Sequence, residues 1–479
     1  MKINKICVGK FKYIENLAIN LSGYEEEFSN RKYNLSVMIG QNGTSKTTIL
    51  QMLENLFEKD EKDFYKFNQM YDLNCSYDIE YEKNGKLCKK NSGYFSVDND
   101  IEAHYLTNSL FDKSKKSRQR FGDGNLALRK IMEIFDGQLG DKYIIQTKEY
   151  QKFLSVFNSF DKFKDSKIFF EIRRRPSHSR RFYDDHINNE ENKKIFENLM
   201  NDLKFLKDEF YLDIRKTYND YDINRLFNSV SSAVYRAIRN NFRERYGRGD
   251  IIKSNRKSSI NVLFDLNNKY AVNLINEYRR LEEKYEIERS EIVISNMWLN
   301  LHENIIPFSE LSSGELSYLL QLVYIEQNIS NNTIFLIDEP EISLHPSWIK
   351  EYISRLDKIC NGYDCHVIIA THSPMLVNNI SKEELIGLYN TKKRIKQVEF
   401  NENPIGLSMD SMLKEIFETD VSNTEYLNEY FKKIEKYLKS DKTSDKKEGF
   451  SMYEELSDSP MKFKLFRVCK EEIMMIKEM

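Results

Sequence analysis

Three short segments carry residue types that could handle a phosphorylated ligand. The first, GQNGTSKT at 40–47, pairs a bendable backbone with a cation and a hydroxyl. Gly40 and Gly43 let the main chain curl so that amide N–H groups point at an anion, Lys46 adds a point charge, and Thr47 offers an oxygen to Mg²⁺. Gly40, Asn42, Gly43, Thr44, Ser45, Lys46, Thr47 and Thr48 form the candidate phosphate-binding set. The second segment, TIFLIDEPEISLHP at 333–346, ends an apolar run in Asp338 and Glu339; the third, HVIIATHSP at 366–374, ends another in His372. A paired Asp and Glu fit a division of labour in which Asp338 holds Mg²⁺ through water and Glu339 orients or deprotonates an attacking water, while His372 contacts the γ-phosphate.

These side chains need elements that deliver them to one place. The run Leu35–Ile39 before the loop and the helical pattern Ile49, Leu50, Leu53 after it supply a strand-to-helix turn, which presents bare amides to an anion. Ile334, Phe335, Leu336 and Ile337 read as a strand buried on both faces of a parallel sheet, with the carboxylates at its C-terminal edge, where ligands of open α/β sheets bind. A further segment, LSSGE at 311–315, puts Ser312, Ser313, Gly314 and Glu315 at the start of an apolar-periodic helix, Leu316 to Ile325.

In this order the segments resemble the ABC-type ATPases: GQNGTSKT as Walker A, LSSGE as signature, LIDEP as Walker B, SLHP at 343–346 as D-loop and His372 as H-loop. The opening VGKFKYIENLAINLS at 8–22 and the long interval between Lys46 and the signature resemble the SMC and overcoming-lysogenization branch rather than transporter subunits. The resemblance covers roughly 1–110 and 290–395 and implies an α/β P-loop head assembled from both ends of the chain, with ATP and Mg²⁺ as cofactors. It implies that two chains sandwich two ATP molecules, Ser313 and Gly314 completing the phosphate site of the partner, in a homodimer or higher homo-oligomer. One position departs from the Walker A pattern: Ser45 stands where Gly is usual before the Lys. The family's γ-phosphate-sensing Gln has no clear counterpart.

The expected organisation is an N-terminal ATPase lobe at 1–110, a mainly helical insertion at 111–289, a C-terminal ATPase lobe at 290–395 and a small helical extension at 396–479. Within the insertion, the stripes Ile195, Leu199, Leu203, Leu206, Phe210 and Leu274, Tyr278, Leu281, Tyr285 predict amphipathic helices too short for a long coiled-coil arm. Two basic clusters, Arg173 to Arg181 and 236–257, also lie there; Arg236, Arg239 and Arg243 share one helix face, interleaved with Tyr235, Phe242 and Tyr246, and could bind DNA backbone. A solvated or subunit-contacting face is the other reading of that stripe. Asn84-Gly85 predicts a hairpin turn, and the polar stretch 439–449 a linker.

Composition narrows the class. The net charge of −2 over 479 residues gives no global pull toward nucleic acid, and six scattered cysteines without C-x-x-C spacing read as reduced thiols, which points to a cytoplasmic protein away from any membrane. After His372 there is no D-x-D cluster and no H-N-H pattern, so no intrinsic nuclease is expected. Short SMC-like ATPases of this kind resemble the ATPase subunits of antiphage systems such as Septu, PARIS and retrons, which implies a separate nuclease or toxin effector. The competing readings are a nucleotide-gated DNA or effector scaffold with little turnover, and a DNA-repair ATPase.

Overall fold

A computed structural model of the chain describes residues 1–21, 31–40, 43–71, 75–107, 145, 147–160, 162–164, 166–174, 189–213, 223–246, 262–287, 292–301, 304–391, 394–398, 400, 403–404, 407, 411–412, 425–456 and 460–478. The elements before the insertion are β1 (Lys2–Phe11), β2 (Ile14–Asn20), β3 (Asn34–Gly40), α1 (Lys46–Leu56), α2 (Glu61–Tyr71), β4 (Ser76–Lys83), β5 (Lys86–Asn91) and β6 (Glu102–Thr107). The insertion holds α3 (Thr147–Asn158), β7 (Lys167–Arg174), α4 (Asn189–Phe210), α5 (Ile223–Tyr246), β8 (Val262–Phe264) and α6 (Lys269–Lys284). There follow β9 (Ile292–Leu301), β10 (Asn304–Pro307), α7 (Ser313–Asn328), β11 (Thr333–Asp338), α8 (Pro346–Cys360), β12 (His366–Ala370), the one-turn α9 (Pro374–Val377), β13 (Leu385–Thr391) and β14 (Arg394–Val398). The chain closes on α10 (Glu425–Leu438), α11 (Thr443–Glu454), α12 (Pro460–Val468) and α13 (Lys470–Glu478).

The central sheet has six strands in the order β14-β13-β3-β12-β11-β6, all parallel except the β13–β14 hairpin. It draws strands from both ends of the chain, as the apolar runs predict. Alternation divides its side chains between two cores. Val37, Ile39, Phe335, Ile337, Val367 and Ile369 enter one, while Met38, Ile334, Leu336, Ile368 and Ala370 enter the other. Strands apolar on both faces require cover on both, and they have it: α1 lies over the second core and α7 over the first. Helix α7 is buried nearly all round, from Leu316 to Ile325.

A four-stranded antiparallel sheet, β2-β1-β4-β5, flanks the second core; its Asn84-Gly85 turn has both residues at positive φ, as the hairpin signal predicts. The insertion is richer in β-structure than its sequence suggests. β7 and β8 join β9 and β10 in a second antiparallel sheet, ordered β10-β9-β7-β8, which crosses the expected division at 289/290. The two helical stripes bury Leu199, Leu203, Leu206, Phe210, Leu274, Tyr278 and Leu281 in the same core that backs the central sheet. They form a compact lobe continuous with the head.

The stretch expected as a linker is corrected by α11, which starts at Thr443. Phe450 and Tyr453 give this polar segment an apolar edge, and it packs on Ile434 and Leu438 of α10 in a small third core. Between β14 and α10, Met412 is buried in the main core.

Candidate nucleotide site

The loop between β3 and α1 is shaped by two close fits. Gly40 ends β3 so near the Leu388 carbonyl oxygen that a Cβ would sit 2.1 Å from it, leaving room for glycine only. Five residues on, Ser45 caps α1 in the left-handed region, at φ 67° and ψ 20°. That conformation costs a non-glycine residue roughly 1–2 kcal/mol, which is the physical reason glycine is usual there. The Ser45 hydroxyl is in addition buried without a hydrogen-bond partner. Thr44 and Thr48 are buried beside it. Asn42 lies outside the described residues.

Lys46 opens α1 and points back into the loop, donating to the Gly40 carbonyl at 2.9 Å and to His372 Nε2 at 2.8 Å. Thr47 donates to Asp338 Oδ1 at 3.1 Å, and the other oxygen, Oδ2, accepts from Tyr105 Oη at 3.0 Å. The chain leaves β11 through Glu339, whose N–H donates to the Ala370 carbonyl at 2.8 Å and whose φ is 47°. Its carboxylate lies 3.5 Å from His372 Nε2. Lys46, Thr47, Asp338, Glu339 and His372, predicted from three distant segments, therefore meet at the C-terminal edge of β3, β11 and β12.

Burial sets the electrostatics of this cluster. It pushes the Lys46 ammonium down to about 8, against the opposing pull of Glu339, Asp338 and Glu341. It raises Asp338, an effect its hydrogen bonds from Thr47 and Tyr105 oppose, and it lowers His372, which the Lys46 charge lowers further. Thr47 and Asp338 present hard oxygen donors side by side, a set that suits Mg²⁺ rather than a softer metal.

The signature segment is occupied with its own chain. Ser312 caps α7 in a capping box: its hydroxyl accepts from the Glu315 N–H at 3.2 Å, and Glu315 Oε2 accepts from the Ser312 N–H at 2.8 Å. Glu315 also ion-pairs with Lys162 of the insertion. Gly314 is pressed on the Ser343 carbonyl oxygen, where a Cβ would come within 2.0 Å. Two of the amides expected as an open anion site are thus spent on the cap.

Sequence reading passed over Tyr105 and Glu341. Glu341 accepts from the Thr371 hydroxyl and the His372 N–H; its place in DEPE was the available signal, whereas Tyr105 on β6 sits in no motif. Cys360, Cys365 and His366 lie in the core: His366 is fully enclosed, accepts from the Ile3 N–H at Nδ1, meets Ser36 Oγ at 3.0 Å through Nε2, and burial pushes it down to about 3. In the arginine stripe Arg236 and Arg243 are exposed, whereas Arg239 is half-buried with its Nε enclosed; of the aromatics, Phe242 packs edge-on against Phe169 at 5.8 Å and Tyr235 is half-buried on the main core. No helix among the described residues is long and apolar enough to cross a membrane.

The chain is similar to several known proteins. Two curated relatives are Protein ea59 of Escherichia phage lambda, 22% identical over 34% of this chain and 31% of that protein, and the "Retron Vc95 probable ATPase" of Vibrio cholerae, 27% identical over 24% and 21%. The alignments span less than a third of the length of those relatives. Among solved structures, the Smc head domain of Pyrococcus furiosus aligns with 87% of this chain and 99% of its own at 11% identity and a TM-score of 0.35; that of Thermotoga maritima aligns with 84% and 100% at 12% and 0.30. The family model described as AAA ATPase domain matches residues 1–377, from the first strand through the Walker A loop, the carboxylate pair and His372, and the chain belongs to that family.

Proposed function

We propose that this chain binds ATP with Mg²⁺ and hydrolyses it, that two copies close around two ATP molecules, and that the cycle controls a separate nuclease or toxin effector in antiphage defence. The observation that carries hydrolysis is the convergence of Lys46, Thr47, Asp338, Glu339 and His372 at one sheet edge, through the contacts Lys46–His372, Thr47–Asp338 and His372–Glu339. Thr47 and Asp338 would hold the metal, which when bound neutralises charge on the phosphates. Lys46 exchanges the Gly40 carbonyl and His372 for phosphate oxygens. Glu339 orients the attacking water, and His372, released from Lys46, turns its Nε2 to the terminal phosphate.

Dimerisation is supported by the signature motif, which ion-pairs with Lys162 through Glu315, packs Gly314 against the Ser343 carbonyl and opens a helix whose start would face a partner's nucleotide. The effector and defence role rest on the similarity to the retron ATPase and on the SMC-like motif order. Mixing a Lys46→Ala chain with a Ser313→Arg chain tests the sandwich. Each inactive variant spoils a different half, so heterodimers should regain up to one working site; mixtures that form heterodimers without any turnover would sink it.

A second partner, DNA, is favoured by one observation. Arg236, Arg239, Arg243 and Arg245 lie on α5 with no ion pair among the described residues. Replacing Arg236, Arg239 and Arg243 by Ala should weaken duplex DNA binding and flatten the slope of log K against log salt by about two to three. An unchanged slope in the folded variant would return the stripe to a solvated face.

A further inference from the structure

Three acidic side chains lie at the end of β11 and just beyond it, and the mechanism uses only Asp338 and Glu339. Glu341 is built in as firmly as either. Its Oε1 accepts two hydrogen bonds at 2.7 Å, from Thr371 Oγ1 and from the His372 backbone N–H, and Thr371 Oγ1 in turn accepts from the Ser373 N–H at 2.9 Å. The other oxygen, Oε2, is buried with no hydrogen-bond partner. A carboxylate oxygen left in this way beside a second carboxylate is a costly arrangement, and both bonds it secures go to one turn.

We propose that Glu341 is a positioning residue for the reaction: it pins the main chain of the 371–373 turn and so fixes the His372 ring between Lys46 and Glu339. This rests on the ATPase reading above. The His372 ring is otherwise held by side-chain contacts that nucleotide must rearrange, namely Lys46 at 2.8 Å and Glu339 at 3.5 Å. The bond to its backbone does not involve the ligand and survives that exchange. Loss of it would let the ring move by a fraction of an ångström or more, a displacement to which catalytic geometry is sensitive. Neither bond requires a negative charge, since an amide oxygen accepts both equally well in number.

Steady-state ATP turnover of the full chain tests the assignment. Glu341→Ala should lower kcat roughly 10- to 100-fold with the KM for ATP moved less than about threefold, and Glu341→Gln should recover to within about fivefold of wild type. The double variant Glu341→Ala/His372→Ala should be no slower than His372→Ala alone, because the two act as one unit. Multiplicative losses in the double variant, or Gln as damaging as Ala, would overturn the proposal by giving Glu341 a part of its own in the chemistry. If Glu341→Ala does not fold, Thr371→Val removes one of the two bonds and should show a smaller loss that is also absent in the His372→Ala background. Ring resonances of His372 in nucleotide-free protein give a readout independent of turnover: they should shift in Glu341→Ala and return in Glu341→Gln. Unshifted resonances would overturn the positioning role, whereas absent wild-type turnover with shifted resonances would overturn the ATPase reading instead.

Discussion

The loop-and-carboxylate end of the head and the signature end satisfy their polar groups in opposite ways. Around Lys46 the bonds join side chains from remote segments, and several stand in for a ligand: the ammonium rests on a loop carbonyl and a histidine, and the Thr47 hydroxyl on Asp338. Around Ser312 the bonds are short in sequence and closed, within the capping box, with Lys162 as an outer brace and Gly314 laid on Ser343. The first arrangement can take up a nucleotide only by exchanging bonds. In the proposed dimer, the second would meet one without moving. A site that exchanges bonds should be sensitive to charge and pH, and one that is rigid should be sensitive to volume.

The largest expected effect tests whether the exchanging end does chemistry at all. Glu339→Gln should cut ATP turnover by about 10²–10⁴-fold while leaving nucleotide binding largely intact. Turnover equal to wild type would remove Glu339 from the reaction and would favour a clamp that hardly hydrolyses.

A smaller effect tests the exchange itself. Lys46 is pushed down to about 8 without nucleotide, and bound phosphate would raise it. Its charged form is the one that binds, so affinity should be flat below pH 8 and fall above it by up to tenfold per pH unit, until the pKa of the complex is reached. Titrations of ATP binding between pH 7 and 9.5 would show this, and Lys46→Arg should flatten the profile. A flat wild-type profile would mean that Lys46 is not held as described.

The smallest effects come as a pair of opposite sign. Gly314→Ala forces a methyl group against the Ser343 carbonyl and should cost about 1–3 kcal/mol in denaturant unfolding. Ser45→Gly relieves a left-handed serine and should stabilise by about 1 kcal/mol. Equal responses at the two positions would erase the contrast between the ends.

Much of the nucleotide end was legible because phosphate chemistry restricts residue types at fixed spacing and apolar runs announce buried strands. Lys46, Thr47, Asp338, Glu339 and His372 were all found in this way. Tyr105 was not, because the reason for a tyrosine on an edge strand is a neighbour brought by β11 from 233 residues further along the chain. The second sheet was missed for a similar cause. β7 lies in charged, aromatic-rich sequence, and its antiparallel pairings with β8 and β9 reveal it. The linker at 439–449 failed because two aromatic anchors at Phe450 and Tyr453 suffice to hold a polar helix on its neighbour. At the signature end the capping box was readable from Ser312 and Glu315, but its occupation of the amides was not drawn from that pattern.

Between the insertion and the head runs a layer of rings. Phe160 meets Tyr318 at 5.2 Å and Trp348 at 6.2 Å, Phe153 and Phe157 each meet Phe308 at 6.2 Å, and the Arg355 guanidinium lies 4.2 Å above Phe160. Such a layer makes the insertion an inseparable part of the engine rather than an accessory bolted to it. Trimming the chain to its nucleotide-binding ends would strip one wall from α7 and expose a greasy surface prone to clumping. Swapping in a different insertion would likewise require a matching set of rings at this seam, so the lobe and the helix that starts with the signature are bound to change together.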